Sequence, residues 1–138
     1  MALADPWAAR LRTARAMVLL CLARALIALV PFRVWRKRLG GPAHNDQGAD
    51  SAEARRLAAH VARAARRLPF VVKCLPQAMA LSWQLRRRVV AHTIVFAARP
   101  PGARDGDDTL HAWVECGTKV ILGDLPGPWI EIYRQPPR

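Results

Sequence analysis

The hydrophobic pattern changes period along the chain. From Leu110 to Cys116, apolar Leu110, Ala112, Val114 and Cys116 alternate with His111, Trp113 and Glu115; after Gly117-Thr118, Val120 and Leu122 share a parity with Asp124. A period of two marks strands whose successive side chains face opposite ways. A two-residue turn beginning with glycine suits the primed geometry of tight hairpins and pairs Cys116 with Lys119 and Glu115 with Val120. Carried to its end, this register sets His111 opposite Asp124, with Cβ atoms about 4.5–5.5 Å apart. The β-branched and aromatic run over 91–98 predicts a strand beside this hairpin, and 130–133 predicts a short edge strand after the turn at 125–129.

Elsewhere the period is helical. Leu57, Val61, Ala64 and Leu68 recur on one face until Pro69, behind an N-cap region at Asp50-Ser51 with Glu53. The opposite face carries Arg56, His60, Arg63 and Arg67, which reads as a solvated face or as a dock for an acidic partner. Leu75, Ala78, Met79, Ser82 and Leu85 predict a second helix that begins near Cys74 and Pro76 and ends in Arg86, Arg87 and Arg88, cations suited to the negative end of the dipole. Residues 1–39 open on Asp5-Pro6-Trp7, pass Arg10, Arg12 and Arg15, run apolar over 16–30 except for Arg24, and close with Pro31 and a basic cluster. The apolar run falls short of the ~20 residues needed to cross a bilayer. It fits a helix buried against the domain, or a membrane-surface helix with Arg33, Arg36, Lys37 and Arg38 at the headgroups. The glycine- and proline-bearing stretch 40–49 reads as a linker, and 99–108 as a loop leading into His111. The expected division is an N-terminal helical segment 1–39, a linker 40–49, and an α+β domain 50–138 in which a helix packs on an antiparallel sheet.

Composition narrows the partners more than the fold. The 138 residues include 22 Lys plus Arg against 10 Asp plus Glu, a formal net charge of +12, which favours nucleic acid, anionic membrane or an acidic peptide as partner. Trp35 and Trp83 lie near arginine clusters, but no nucleic-acid motif accompanies them, and none is assigned. Cys21, Cys74 and Cys116 are an odd number without a C-x-x-C pair, so a disulfide framework is not indicated and a reducing cytoplasm fits best. His44, His60, His92 and His111 show no metal-ligand spacing, and the aspartates at 105, 107 and 108 fit no calcium loop; no metal or cofactor is expected.

The candidate chemistry lies at Cys74. At a helix start, free N–H groups and the positive dipole end favour a thiolate and can hold an oxyanion. A single cysteine is most often a small buried hydrophobe, and His111 and Asp124 could be surface residues of an ordinary hairpin. Taken together they supply a nucleophile, a base and an orienting carboxylate. Cys116 is a competing thiol, but its parity turns it away from His111, toward the core.

Three strings carry a resemblance: Cys74-Leu75-Pro76-Gln77-Ala78, His111-Ala112-Trp113-Val114-Glu115 and Ile121-Leu122-Gly123-Asp124. They resemble the lasso-peptide leader peptidases, the transglutaminase-like maturation proteases, over roughly 50–133 and more loosely over the N-terminal segment. The resemblance implies a transglutaminase-like or papain-like α+β core with N-terminal helices and a Cys74–His111–Asp124 triad. Cys74 would attack a peptide carbonyl, with the Cys74 backbone N–H and a second donor, for which Gln77 is a candidate, at the oxyanion. It implies a lasso precursor peptide as substrate, a separate leader-recognition protein and an ATP-dependent cyclase as partners. A separate recognition protein is expected because 1–39 and 50–133 leave no room for another folded domain. A transglutaminase or amidase with the same triad, and a non-enzymatic basic module binding RNA or membrane, are the alternatives. Those peptidases often place a glycine after the arginine-rich helix end; here Val89 follows Arg88.

Overall fold

Asp5 accepts a hydrogen bond from the Trp7 N–H at 3.0 Å and Pro6 takes the first helical position, so helix α1 (Pro6–Leu29) starts where a cap and a preset φ coincide. The computed structural model describes residues 5–39, 51–103, 109–117 and 119–135; the expected linker 40–49, the Asp50 cap, much of the 99–108 loop and Thr118 lie outside them. A short helix α2 (Phe32–Trp35) and a 3-10 turn (Arg36–Arg38) follow, then α3 (Ser51–Arg67) and α4 (Cys74–Arg87). Strands β1 (Thr93–Ala98), β2 (Leu110–Cys116), β3 (Lys119–Leu122) and β4 (Ile130–Gln135) form one antiparallel sheet in the order β3-β2-β1-β4. The architecture is α+β, as the change of period predicts.

One face of α1 buries Thr13, Ala16, Leu20 and Ala23 against α3 and α4. That core is continuous with Leu57, Val61 and Ala64 of α3 and with Met79, Leu81 and Leu85 of α4. Helix α4 in turn lies on β2, whose Ala112, Val114 and Cys116 point into the core as the alternation requires. The arginine that interrupts the apolar run of α1 leaves the core undisturbed, because the Arg24 guanidinium packs over the Phe70 ring, 4.3 Å from its centroid. Arg56, Arg63 and Arg67 are exposed along α3, while His60 is half-buried with its Nδ1 3.2 Å from Thr13 Oγ1.

The turn from α4 into β1 shows a local strain. The Val90 N–H bonds Leu85 O at 2.9 Å and the Val89 N–H bonds Arg86 O at 3.1 Å, the paired closure in which the residue after the cap adopts a left-handed conformation. That residue is Val89, at φ 56, where a β-branched side chain is strained and glycine is not. Val89 is 74% exposed, so little packing depends on it. Val89→Gly is therefore expected to raise stability by roughly 1 kcal/mol, read as a higher urea midpoint at unchanged slope. A lower midpoint would mean that the backbone relaxes around valine without cost.

Just beyond it, buried Ser82 and His92 pin α4 to the strand entry: Ser82 Oγ lies 2.7 Å from His92 Nε2, and His92 Nδ1 lies 2.8 Å from Val90 O. Burial pushes the imidazole down to about 4, so the ring is neutral at pH 7 and serves as a fixed hydrogen-bonding strut.

Candidate active site

Helix α4 begins at Cys74 itself, with Lys73 as a cap that makes no side-chain bond, so the first N–H groups are left for the sulfur. The Cys74 thiol is half-buried. Burial opposes its ionisation, yet hydrogen bonds from the His111 side chain and from the backbone N–H groups of Ala112 and Leu75, with the charge of His111, outweigh that and draw the thiol below its ordinary value. A cysteine at this helix start and a histidine on β2, 37 positions further along the chain, are thus brought into contact. Cys116 is the contrast. It lies 7% exposed in the core and burial pushes its thiol up to about 11, a protonated and unreactive state. Cys21 is exposed on α1.

The hairpin register holds for two pairs and then departs from the alternation. Cys116 faces Lys119 and Glu115 faces Val120 as expected, but Val114 faces Leu122 where the uniform ladder places Ile121. A one-residue bulge in β3 absorbs Ile121. Asp124 is therefore not the ladder partner of His111, a correction to the uniform register. The partner of the ring is one residue earlier: His111 Nε2 lies 2.6 Å from the backbone carbonyl of Gly123. A ring nitrogen facing a carbonyl must carry the proton, which fixes the tautomer and leaves Nδ1 as the proton acceptor. The Asp124 side chain, next in sequence after Gly123, is exposed.

Gly123 reaches its position only because it lacks a side chain. Its φ is +87, and a Cβ there would lie 2.9 Å from Ala112 O and 3.2 Å from Trp113 Cα. Sequence pattern alone did not single out this glycine, although an isolated Gly in a strand often marks a bulge or a close backbone approach.

Two aromatic rings and a cation complete the surroundings. Trp129 stacks on His111 with centroids 5.1 Å apart and planes 29° apart, and Trp113 lies 5.9 Å away, tilted. The Arg99 guanidinium sits 4.3 Å from the Trp129 centroid, and Trp129 Nε1 donates to Leu125 O at 3.1 Å. The turn read at 125–129 is thus also the wall that holds the imidazole. No sequence signal beyond a tryptophan after Pro-Gly-Pro marked it. Glu115 and Glu131, the other carboxylates within the sheet, are engaged by Arg134: Glu115 Oε2 at 3.0 Å and Glu131 Oε1 at 2.8 Å. Glu115 Oε1 also accepts from Trp113 Nε1 at 2.9 Å.

Gln77 is turned back toward the lead-in, with its Nε2 donating to Val72 O at 2.9 Å. Among the described residues no group of three or more His, Cys, Asp or Glu could hold a metal ion. The arrangement can therefore do nucleophilic acyl chemistry: a polarised thiol at a helix N-terminus, a ring nitrogen to take its proton, and an acceptor behind the ring.

Residues 16–130 match the family described as the Transglutaminase-like superfamily, and the chain belongs to it. That superfamily includes cysteine peptidases and acyltransferases. No curated protein and no solved structure matches the chain significantly.

Proposed function

We propose that this chain is a cysteine peptidase that removes the leader from a ribosomally made lasso precursor peptide, using Cys74, His111 and Asp124. The observation that carries the reading is the Cys74–His111 contact at the start of α4, where hydrogen bonds overcome burial to draw the thiol down. The leader-peptidase strings at residues 74–78, 111–115 and 121–124 supply the choice of substrate by resemblance.

In the first half-reaction Cys74 Sγ attacks the scissile carbonyl while His111 takes the thiol proton. The oxyanion forms beside the Cys74 N–H at the positive end of α4. The C–N bond then breaks, His111 gives its proton to the leaving amine, and a thioester remains on Cys74. Water, deprotonated by His111, attacks the thioester and releases the leader acid. Gly123 O holds the Nε2 proton throughout, and by the resemblance Asp124 contributes negative charge that favours the imidazolium.

An open cleft of about 690 Å³ lined by Ala65, Leu68, Phe70, Val72 and Gln77 borders the lead-in to Cys74 and would receive an extended peptide. By the same resemblance a separate recognition protein presents the leader, raising its effective concentration at Cys74, and a cyclase consumes the freed amine. The exposed Arg56, Arg63 and Arg67 face suits an acidic leader or such a protein.

Mass spectrometry of precursor incubated with the purified chain, with and without the recognition protein, tests this. The expected result is hydrolysis at one peptide bond, giving a core with a free amine, faster with the partner present. Ammonia release or an isopeptide product without backbone cleavage would replace the peptidase reading by an amidase or transglutaminase.

A further inference from the structure

Helix α1 is apolar on two opposite sides, and the fold uses only one. At 100° per residue the buried Thr13, Ala16, Leu20 and Ala23 cluster on one side, while Trp7, Leu11, Val18, Leu22 and Leu29 fall within an arc of about 60° centred about 170° away. The members of that outer stripe are 67%, 69%, 60%, 54% and 81% exposed, respectively. It runs along about 33 Å of helix. Ala14, Cys21 and Ala25 fill the intervening outer positions, and Arg10 and Arg15 flank the stripe on its two sides. Arg24, the charge within the apolar run, lies off the stripe on Phe70. A continuous exposed apolar surface of this length marks an interaction site in a folded protein.

We propose that the outer stripe of α1 seats this protein on an anionic membrane surface, with the helix axis parallel to the bilayer. This goes beyond the peptidase reading and does not depend on it. The charge distribution favours a bilayer over a second copy. Stripe-to-stripe pairing would bring the arginines of two chains, each of net charge +12, together across the contact, whereas anionic headgroups complement them. Beyond the end of α1, Phe32 packs edge-on against Trp35, Phe96 and Tyr133, while Val34 is exposed and Arg33, Lys37 and Arg38 are exposed cations near it in sequence. Exposed cations beside an apolar helix surface suit headgroup phosphates at the acyl boundary. Trp7, with the Arg10 guanidinium 5.4 Å from its ring centroid, closes the other end with a side chain suited to the interfacial layer. Among the described residues no helix is long and apolar enough to cross a membrane, so the mode is to lie on the surface and not to span it.

The test is sedimentation of the full chain with vesicles of phosphatidylcholine alone and of phosphatidylcholine with phosphatidylglycerol, alongside Leu11→Gln/Val18→Gln/Leu22→Gln. These three side chains are exposed, so the variant is expected to keep the wild-type thermal midpoint. Wild type is expected to bind the phosphatidylglycerol vesicles at least tenfold more tightly than phosphatidylcholine alone, and the triple variant to lose at least tenfold on the anionic vesicles. Absence of wild-type binding would overturn the proposal and leave a protein as the cover of the stripe. Equal binding by the variant would also overturn it, since basic charge alone would then explain the affinity. A wild-type dimer in light scattering that the variant converts to monomer would assign the stripe to a second copy instead.

Discussion

Cys74→Ala is expected to lower precursor cleavage by at least about 10³-fold while the fold survives, because no other group at the start of α4 can form the acyl intermediate. Cys21→Ala should be silent, since Cys21 is exposed on α1. Cys116→Ala should retain most activity after a modest loss of stability, because its thiol is buried and held protonated. Thiol alkylation gives the companion measurement. Wild-type Cys74 should react at a pH below the ordinary thiol range, and His111→Ala should move that reactivity upward, since the His111 hydrogen bond and charge lower the thiol together with the backbone bonds from Ala112 and Leu75. Cleavage by Cys74→Ala at the wild-type rate would end the peptidase reading; loss confined to Cys116→Ala would move the nucleophile.

Gly123→Ala is expected to be the most damaging change outside the Cys–His pair. The new Cβ would meet Ala112 O, a backbone atom that cannot swing aside, and φ +87 strains any L side chain. Relief requires moving the carbonyl that holds His111, so cleavage should fall about 10²-fold and stability by about 1–3 kcal/mol. Asp124→Asn should cost far less, about tenfold. Removing the carboxylate of a catalytic triad is severe when it lets the imidazole adopt the wrong tautomer, and here a backbone carbonyl fixes the tautomer whatever residue 124 is. The readout is kcat on the precursor with the His111 proton signals followed by NMR. A loss from Asp124→Asn as large as that from Gly123→Ala would show that the carboxylate itself reaches the ring during turnover.

What was legible in the sequence, and what was not, divides along physical lines. The strand period of 110–116, the turn after Cys116 and the helix start at Cys74 are local properties, written in neighbouring residues, and the structure shows all three. The bulge at Ile121 was invisible because Val120, Ile121 and Leu122 are all apolar, so inserting one residue breaks no alternation that a reader could see. Trp129 over His111 depends on where a non-local turn returns the chain. No periodicity encodes that. For α1 the buried-helix reading holds for one side, which packs on α3 and α4, while the opposite side of the 24-residue helix is exposed and apolar.

The stack of Arg24 on Phe70 gives α1 a grip on the segment that leads into Cys74. Phe70 stands four residues before Cys74, and Val72, between them, is held from the other side by Gln77. Residues that read as an N-terminal extension therefore act as a splint. Trimming them would remove Ala16, Leu20 and Ala23 from the core that α3 and α4 share, along with the Arg24 contact, so the packing that supports Cys74 would go with them. An engineer seeking a better-behaved protein would do well to alter the outer side of the helix and keep its inner side and Arg24 whole.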